Sequence, residues 1–120
     1  MVEGWLARMG GMNGAVRDLR KALPDVMKAF SDMARKAHGG GALDDRTREL
    51  VALAISVAVG CAPCIAYHGE RAVEQGARRA EIAETLAMAV YMGAGPSVMD
   101  AAKVLEAVDR ITAGKAPDPD

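Results

Sequence analysis

An all-α fold, one compact bundle of about six helices, is what this sequence predicts. Three observations carry that reading. Apolar residues recur at three- and four-residue spacing, the period of a helix with one buried face. Alanine, leucine and methionine are common, aromatic residues make up only 3% of the chain, and β-branched residues are scattered instead of alternating. Small, unbranched residues suit close helix packing and argue against strands. Glycine and proline fall between the periodic segments, where helix ends belong. At 120 residues the chain fits a single domain with a modest core.

Residues 1–22 read as an N-terminal arm and short helices. Trp5, Leu6, Met9 and Met12 keep helical spacing but are cut by Gly10, Gly11 and Gly14, and Ala15 to Leu23 forms a short helix with basic residues near its end. The main domain spans 23–113. Pro24 opens its first helix, Val26, Met27, Phe30, Met33, Ala34 and Ala37 mark an apolar face, and His38 with Gly39, Gly40 and Gly41 ends it. Asp44 or Asp45 caps the next helix. Its body, Leu50 to Val59, is apolar all round, which predicts burial on every side and, in so short a chain, a second subunit to cover it. Gly60 breaks this helix, and Cys61-Ala62-Pro63-Cys64 begins another that stops at Gly76. On it Ile65, Ala72 and Val73 pack while Glu70, Arg71 and Glu74 face water. Glu81 to Met92 and Pro96 to Ile111 are the last two helices, joined by a turn at Gly93-Ala94-Gly95-Pro96, with Val98, Ala101, Ala102, Leu105 and Val108 inward on the final one. Residues 114–120 form a polar tail.

The net charge of −1 leaves no basic excess for nucleic acid or an anionic membrane. Residues 50–67 carry no charge for eighteen positions, the lower limit of a membrane span, but alanine, Gly60 and Pro63 within the run point to a buried helix and a break. Position 3 is acidic and no signal peptide is read. The expected location is a reducing cytoplasm, where two cysteines three apart serve redox or metal chemistry and not a structural framework.

The chemistry concentrates in one stretch. Cys61, Cys64 and His68 stand at i, i+3 and i+7, one face of a helix. Only a thiolate attacks a disulfide or peroxide, and a thiol is largely protonated at neutral pH. Three devices favour ionisation here: the N-terminal turn of a helix, His68 one turn beyond Cys64, and the second thiol. His68 stands nearer Cys64, which assigns Cys64 as nucleophile and Cys61 as its resolving partner. Glu49, on the preceding helix, is placed to orient the imidazole if the break at Gly60 folds it back.

The pattern E-x11-C-x2-C-x3-H, from Glu49 through Cys61 and Cys64 to His68, resembles the alkyl hydroperoxidase D-like branch of the carboxymuconolactone decarboxylase superfamily. The stretches LPDVMKAF, LDDRTRELVALAISVAVGC and GARRAEIAETL resemble it too, so that the likeness runs over about residues 23–111. It implies an all-α alkyl hydroperoxidase D-like fold, assembly as homotrimers or homohexamers, and thiol-dependent peroxidase or disulfide reductase activity without a cofactor. It further implies a relay from Glu49 through Cys61 and His68 to the Cys64 thiolate, and a dithiol reductant protein of lipoyl or thioredoxin-like type. Well-characterised members carry a histidine between the cysteines; this chain has Pro63. Decarboxylase relatives usually lack the cysteine pair. Two other readings stand beside this one: a metal-binding or structural helical module, for which Cys61, Cys64, His68 and Glu49 form a ligand set, and a cofactor-free decarboxylase of a muconolactone-like acid. Tyr67 reads as pocket lining or core, His38 as a helix end, the methionines as pliable packing.

Overall fold

A computed structural model describes residues 14–113; the expected arm around Trp5 and the tail beyond Gly114 lie outside them. Among the described residues there are five helices and no strand: α1 over 14–22, α2 Pro24–Ala37, α3 Asp45–Val59, α4 Ala62–Glu74 and α5 Arg79–Thr112.

The span α5 contains both of the helices expected there, joined at a sharp bend. Ala94 sits at φ 57°, ψ −146°, with Pro96 just beyond. Positive φ is costly for a residue with a Cβ. The side chains of Arg79 and Asp109 nevertheless meet at 2.7 and 3.3 Å. Thirty residues of straight helix would hold them about 45 Å apart, so the two arms of α5 run antiparallel, and the turn lies where the glycines and proline place it. At the bend Gly93 lets α5 close on α3: a Cβ there would stand 3.2 Å from the Ala58 Cα.

Helix α3 begins with Asp44, whose side chain accepts from the Thr47 N–H at 2.8 Å. It ends at Gly60 in the left-handed conformation, φ 75°, with the Gly60 and Cys61 N–H groups both returning to Ser56 O, a Schellman-like end that glycine adopts without strain. The chain reverses within two residues, so α4 runs back along α3. The core is where α3, α4 and the arms of α5 meet: Leu53, Val57, Ile65, Ile82, Leu86, Val104 and Val108 are all buried.

Among the described residues only α4 and α5 pack on α3, and Val51, Ile55 and Val59 on its far side are exposed, the face for which the sequence reading called on a second subunit. Burial departs from that reading on two other faces. Helix α2 has no buried residue and packs on none of α3, α4 or α5, which leaves its apolar stripe open, with Phe30 54% and Met33 60% exposed. Val98, expected inward, is exposed, and Ser97 takes the buried position beside α3. No helix among the described residues is long and apolar enough to cross a membrane.

Candidate functional site

The cysteines occupy the first turn of α4. Cys61 is the N-cap residue, and its sulfur accepts the Cys64 backbone N–H at 3.3 Å. Pro63 sits where a missing N–H costs nothing. The two sulfurs are joined in a disulfide, the oxidised state of the pair, and both residues are half-buried.

Glu49 and His68 lie 19 residues apart, each two to three turns from the bend at Gly60, so the α3–α4 hairpin sets them side by side. His68 Nδ1 is 2.7 Å from Glu49 Oε1. A carboxylate only accepts, so Nδ1 carries the hydrogen and Nε2 is left as the basic nitrogen. His68 shares a helix face with Cys64, one turn away, but in this oxidised form it hydrogen-bonds to neither sulfur among the described interactions. Thus the structure joins Cys61 to Cys64 and Glu49 to His68, and it relates the two pairs through α4.

Glu49 is 2% exposed, and a carboxylate so placed requires partners. Arg71 Nε donates to Oε2 at 3.3 Å, and that hydrogen bond is the chief cause holding the Arg71 guanidinium above its ordinary pKa. His38, at the C-cap of α2, places Nδ1 3.8 Å from the same oxygen. Its ring lies nearly parallel to that of His68, centroids 6.1 Å apart. Tyr67 is half-exposed, not core, and stands edge-on to His68 with centroids 5.0 Å apart; the Arg71 guanidinium lies 5.8 Å from the Tyr67 ring centre.

Sequence reasoning set Arg71 in water and His38 at a helix end, and missed both as neighbours of Glu49. For Arg71 a signal existed: Cys64, His68 and Arg71 keep i, i+4, i+7 spacing and so share a face. For His38 there was none, because its helix and Glu49 are joined through the loop 39–44. With both sulfurs in the bridge, the described residues place no three His, Cys, Asp or Glu side chains where they could share a metal ion.

Chemically the site sets a disulfide, a bond that thiol exchange can open and close, on the same helix as a half-buried imidazole oriented by a buried carboxylate. The model of the carboxymuconolactone decarboxylase family matches residues 24–107. An uncharacterised protein of Cupriavidus necator is 35% identical over 106 residues, covering 88% of this chain and 94% of its own. Another, encoded in the cox locus of Paracoccus denitrificans, is 31% identical over 99 residues, covering 82% and 89%. The crystal structure of a carboxymuconolactone decarboxylase family protein from Legionella pneumophila, in its apo form, superposes with a TM-score of 0.84 at 41% identity, over 92% of this chain and 98% of the other. On fold, sequence and extent together, this chain belongs to the carboxymuconolactone decarboxylase family.

Proposed function

We propose that the protein is a thiol-dependent peroxidase or disulfide oxidoreductase of the alkyl hydroperoxidase D-like branch, acting in a reducing cytoplasm. The observation that carries this is the Cys61–Cys64 bridge at the head of α4, on the helix whose His68 is held by buried Glu49.

In the reduced protein, His68 Nε2 takes the Cys64 proton. The Cys64 thiolate attacks a hydroperoxide: an S–O bond forms, the O–O bond breaks, and the departing alkoxide regains a proton as alcohol. The Cys61 thiol then attacks the sulfenic sulfur, water leaves, and the disulfide closes. A dithiol reductant reopens it, giving up two electrons and two protons and becoming a disulfide itself. The N–H on the Cys61 sulfur stabilises a thiolate there, so Cys61 is the better leaving group and Cys64 the sulfur that reductant attacks.

The exposed apolar residues of α2 and α3 support a homotrimer or homohexamer, in which copies of this chain cover Phe30, Met33, Val51 and Ile55. Light scattering tests this, with Phe30→Asp expected to lower the mass.

The activity is tested by mixing reduced protein with a hydroperoxide and a lipoyl or thioredoxin-like dithiol. Cys64→Ser abolishes even the first oxidation, whereas Cys61→Ser allows one oxidation and no turnover. Peroxide consumption unchanged in Cys64→Ser overturns the proposal. Decarboxylation of a muconolactone-like acid that survives loss of both cysteines replaces it.

A further inference from the structure

We propose that His38 is the solvent-side member of the proton path serving the cysteine pair: it shares the Glu49 carboxylate with His68 and exchanges its proton with water. The use made of that proton rests on the function proposed above; the path itself rests on geometry.

The Glu49 side chain is 3% exposed and its two oxygens face three groups: His68 on Oε1, Arg71 and His38 on Oε2. A proton passed from His68 to Glu49 reaches no solvent directly and must leave through one of the others. Arg71 is already fully protonated and is held so by Glu49, so it cannot accept. An imidazole can accept and release a proton near neutral pH. The His38 side chain is 41% exposed, against 18% for His68, and it opens on the surface depression lined by Gly39, Asp44, Asp45 and Arg48. The 3.8 Å gap to Glu49 is longer than a hydrogen bond and is closed by a slight approach or one bridging water, which suits a contact made and broken in each transfer.

The charged groups facing His38 are Glu49 from α3 and Arg71 with His68 from α4, with Asp44, Asp45 and Arg48 at the mouth; Arg35 and Lys36 precede it on α2. Each transfer conserves charge and oxidises nothing. The hydrogen on His68 Nδ1 moves to the Glu49 carboxylate, the carboxylic acid so formed turns to present that hydrogen to His38 Nδ1 and is a carboxylate again once it has passed, and His38 Nε2 gives one to water; the return runs in reverse. The Cys64 proton thus leaves before peroxide attack and an equivalent one returns for the alkoxide. His38 touches no reacting atom and is a positioning residue.

The test is the rate at which the His68 Nδ1 hydrogen of the oxidised, 15N-labelled protein exchanges with water. The chain has 2 histidines, so the imidazole that remains in His38→Gln is His68. Exchange is expected to slow by about a hundredfold in His38→Gln, the low end of what a positioned proton-transfer group contributes. A merely structural role loosens the site and speeds exchange; unchanged or faster exchange overturns the proposal. In turnover with hydroperoxide and dithiol, His38→Gln is slowed and added imidazole restores it while leaving wild type unaffected; a slowed variant that imidazole does not restore also overturns it. A wild-type protein with no turnover refutes the peroxidase reading alone, since the exchange rates still decide the role of His38.

Discussion

Replacing Glu49 by glutamine separates what the buried carboxylate does for stability from what it does for chemistry. Glutamine has the same shape and keeps one acceptor for His68 Nδ1, now at 2.7 Å from the carboxylate. A charge-assisted hydrogen bond contributes about 1.5–3 kcal/mol against about 0.5–1.5 for a neutral one, so about 1–2 kcal/mol is lost. The amide, however, escapes the cost of desolvating an ion, which is of comparable or greater size. The terms oppose, and the denaturation free energy should move by no more than about 1–2 kcal/mol. Chemistry has no such offset. An amide neither accepts a proton nor balances the imidazolium that forms when His68 takes the Cys64 proton, so hydroperoxide turnover should fall about 10²–10⁴-fold. The assay pairs a denaturant melt with initial rates of dithiol-dependent hydroperoxide consumption. A folded Glu49→Gln protein turning over within about threefold of wild type, under 1 kcal/mol of barrier, would refute the role given to the carboxylate.

Gly93→Ala should destabilise by about 1–3 kcal/mol in a denaturant melt: the new Cβ overlaps Ser97 Oγ and stands 3.2 Å from the Ala58 Cα. Ser97 can turn away, losing its 3.4 Å bond to Val57 O, but the α3 backbone cannot, so the usual gain of alanine over glycine in a helix is reversed. Ala94→Gly should do the opposite and raise the free energy of unfolding by about 1 kcal/mol, since φ 57°, ψ −146° strains alanine more than glycine costs in unfolded-chain entropy. Acid should weaken the fold through carboxyls held below their ordinary values, among them Asp44 by the Thr47 hydrogen bond and Asp109 by Arg79, both from 3.8, and Glu81 by the Arg78 N–H, from 4.5. The folded state then binds fewer protons than the unfolded chain, so this stability is present above those ordinary values and is lost as pH falls through the lower, folded ones. Denaturant midpoints read from about pH 5 downward should decline, and less steeply in an Asp44→Asn, Asp109→Asn double variant; an equal slope would show that these contacts do not hold in solution.

The helical class, the breaks and the cysteine pair were legible in the sequence alone. Pro24, Asp44, Gly60, Pro63 and the run Gly93 to Pro96 act within a few residues of themselves, through φ, a missing N–H or a capping oxygen, so their effects are legible locally. Cys61, Cys64 and His68 share one helix, and their common face follows from its period. Tertiary structure decided which groups surround Glu49. That His68 and Arg71 reach it depends on α4 folding back along α3; that His38 reaches it depends on a loop reversing direction over α3; and Arg79 meets Asp109 only because α5 bends at Ala94. The apolar faces of α2 and α3 likewise look alike in sequence whether their own chain covers them or not. Periodicity states which residues share a side of a helix, and only the packing of distant segments states what that side meets.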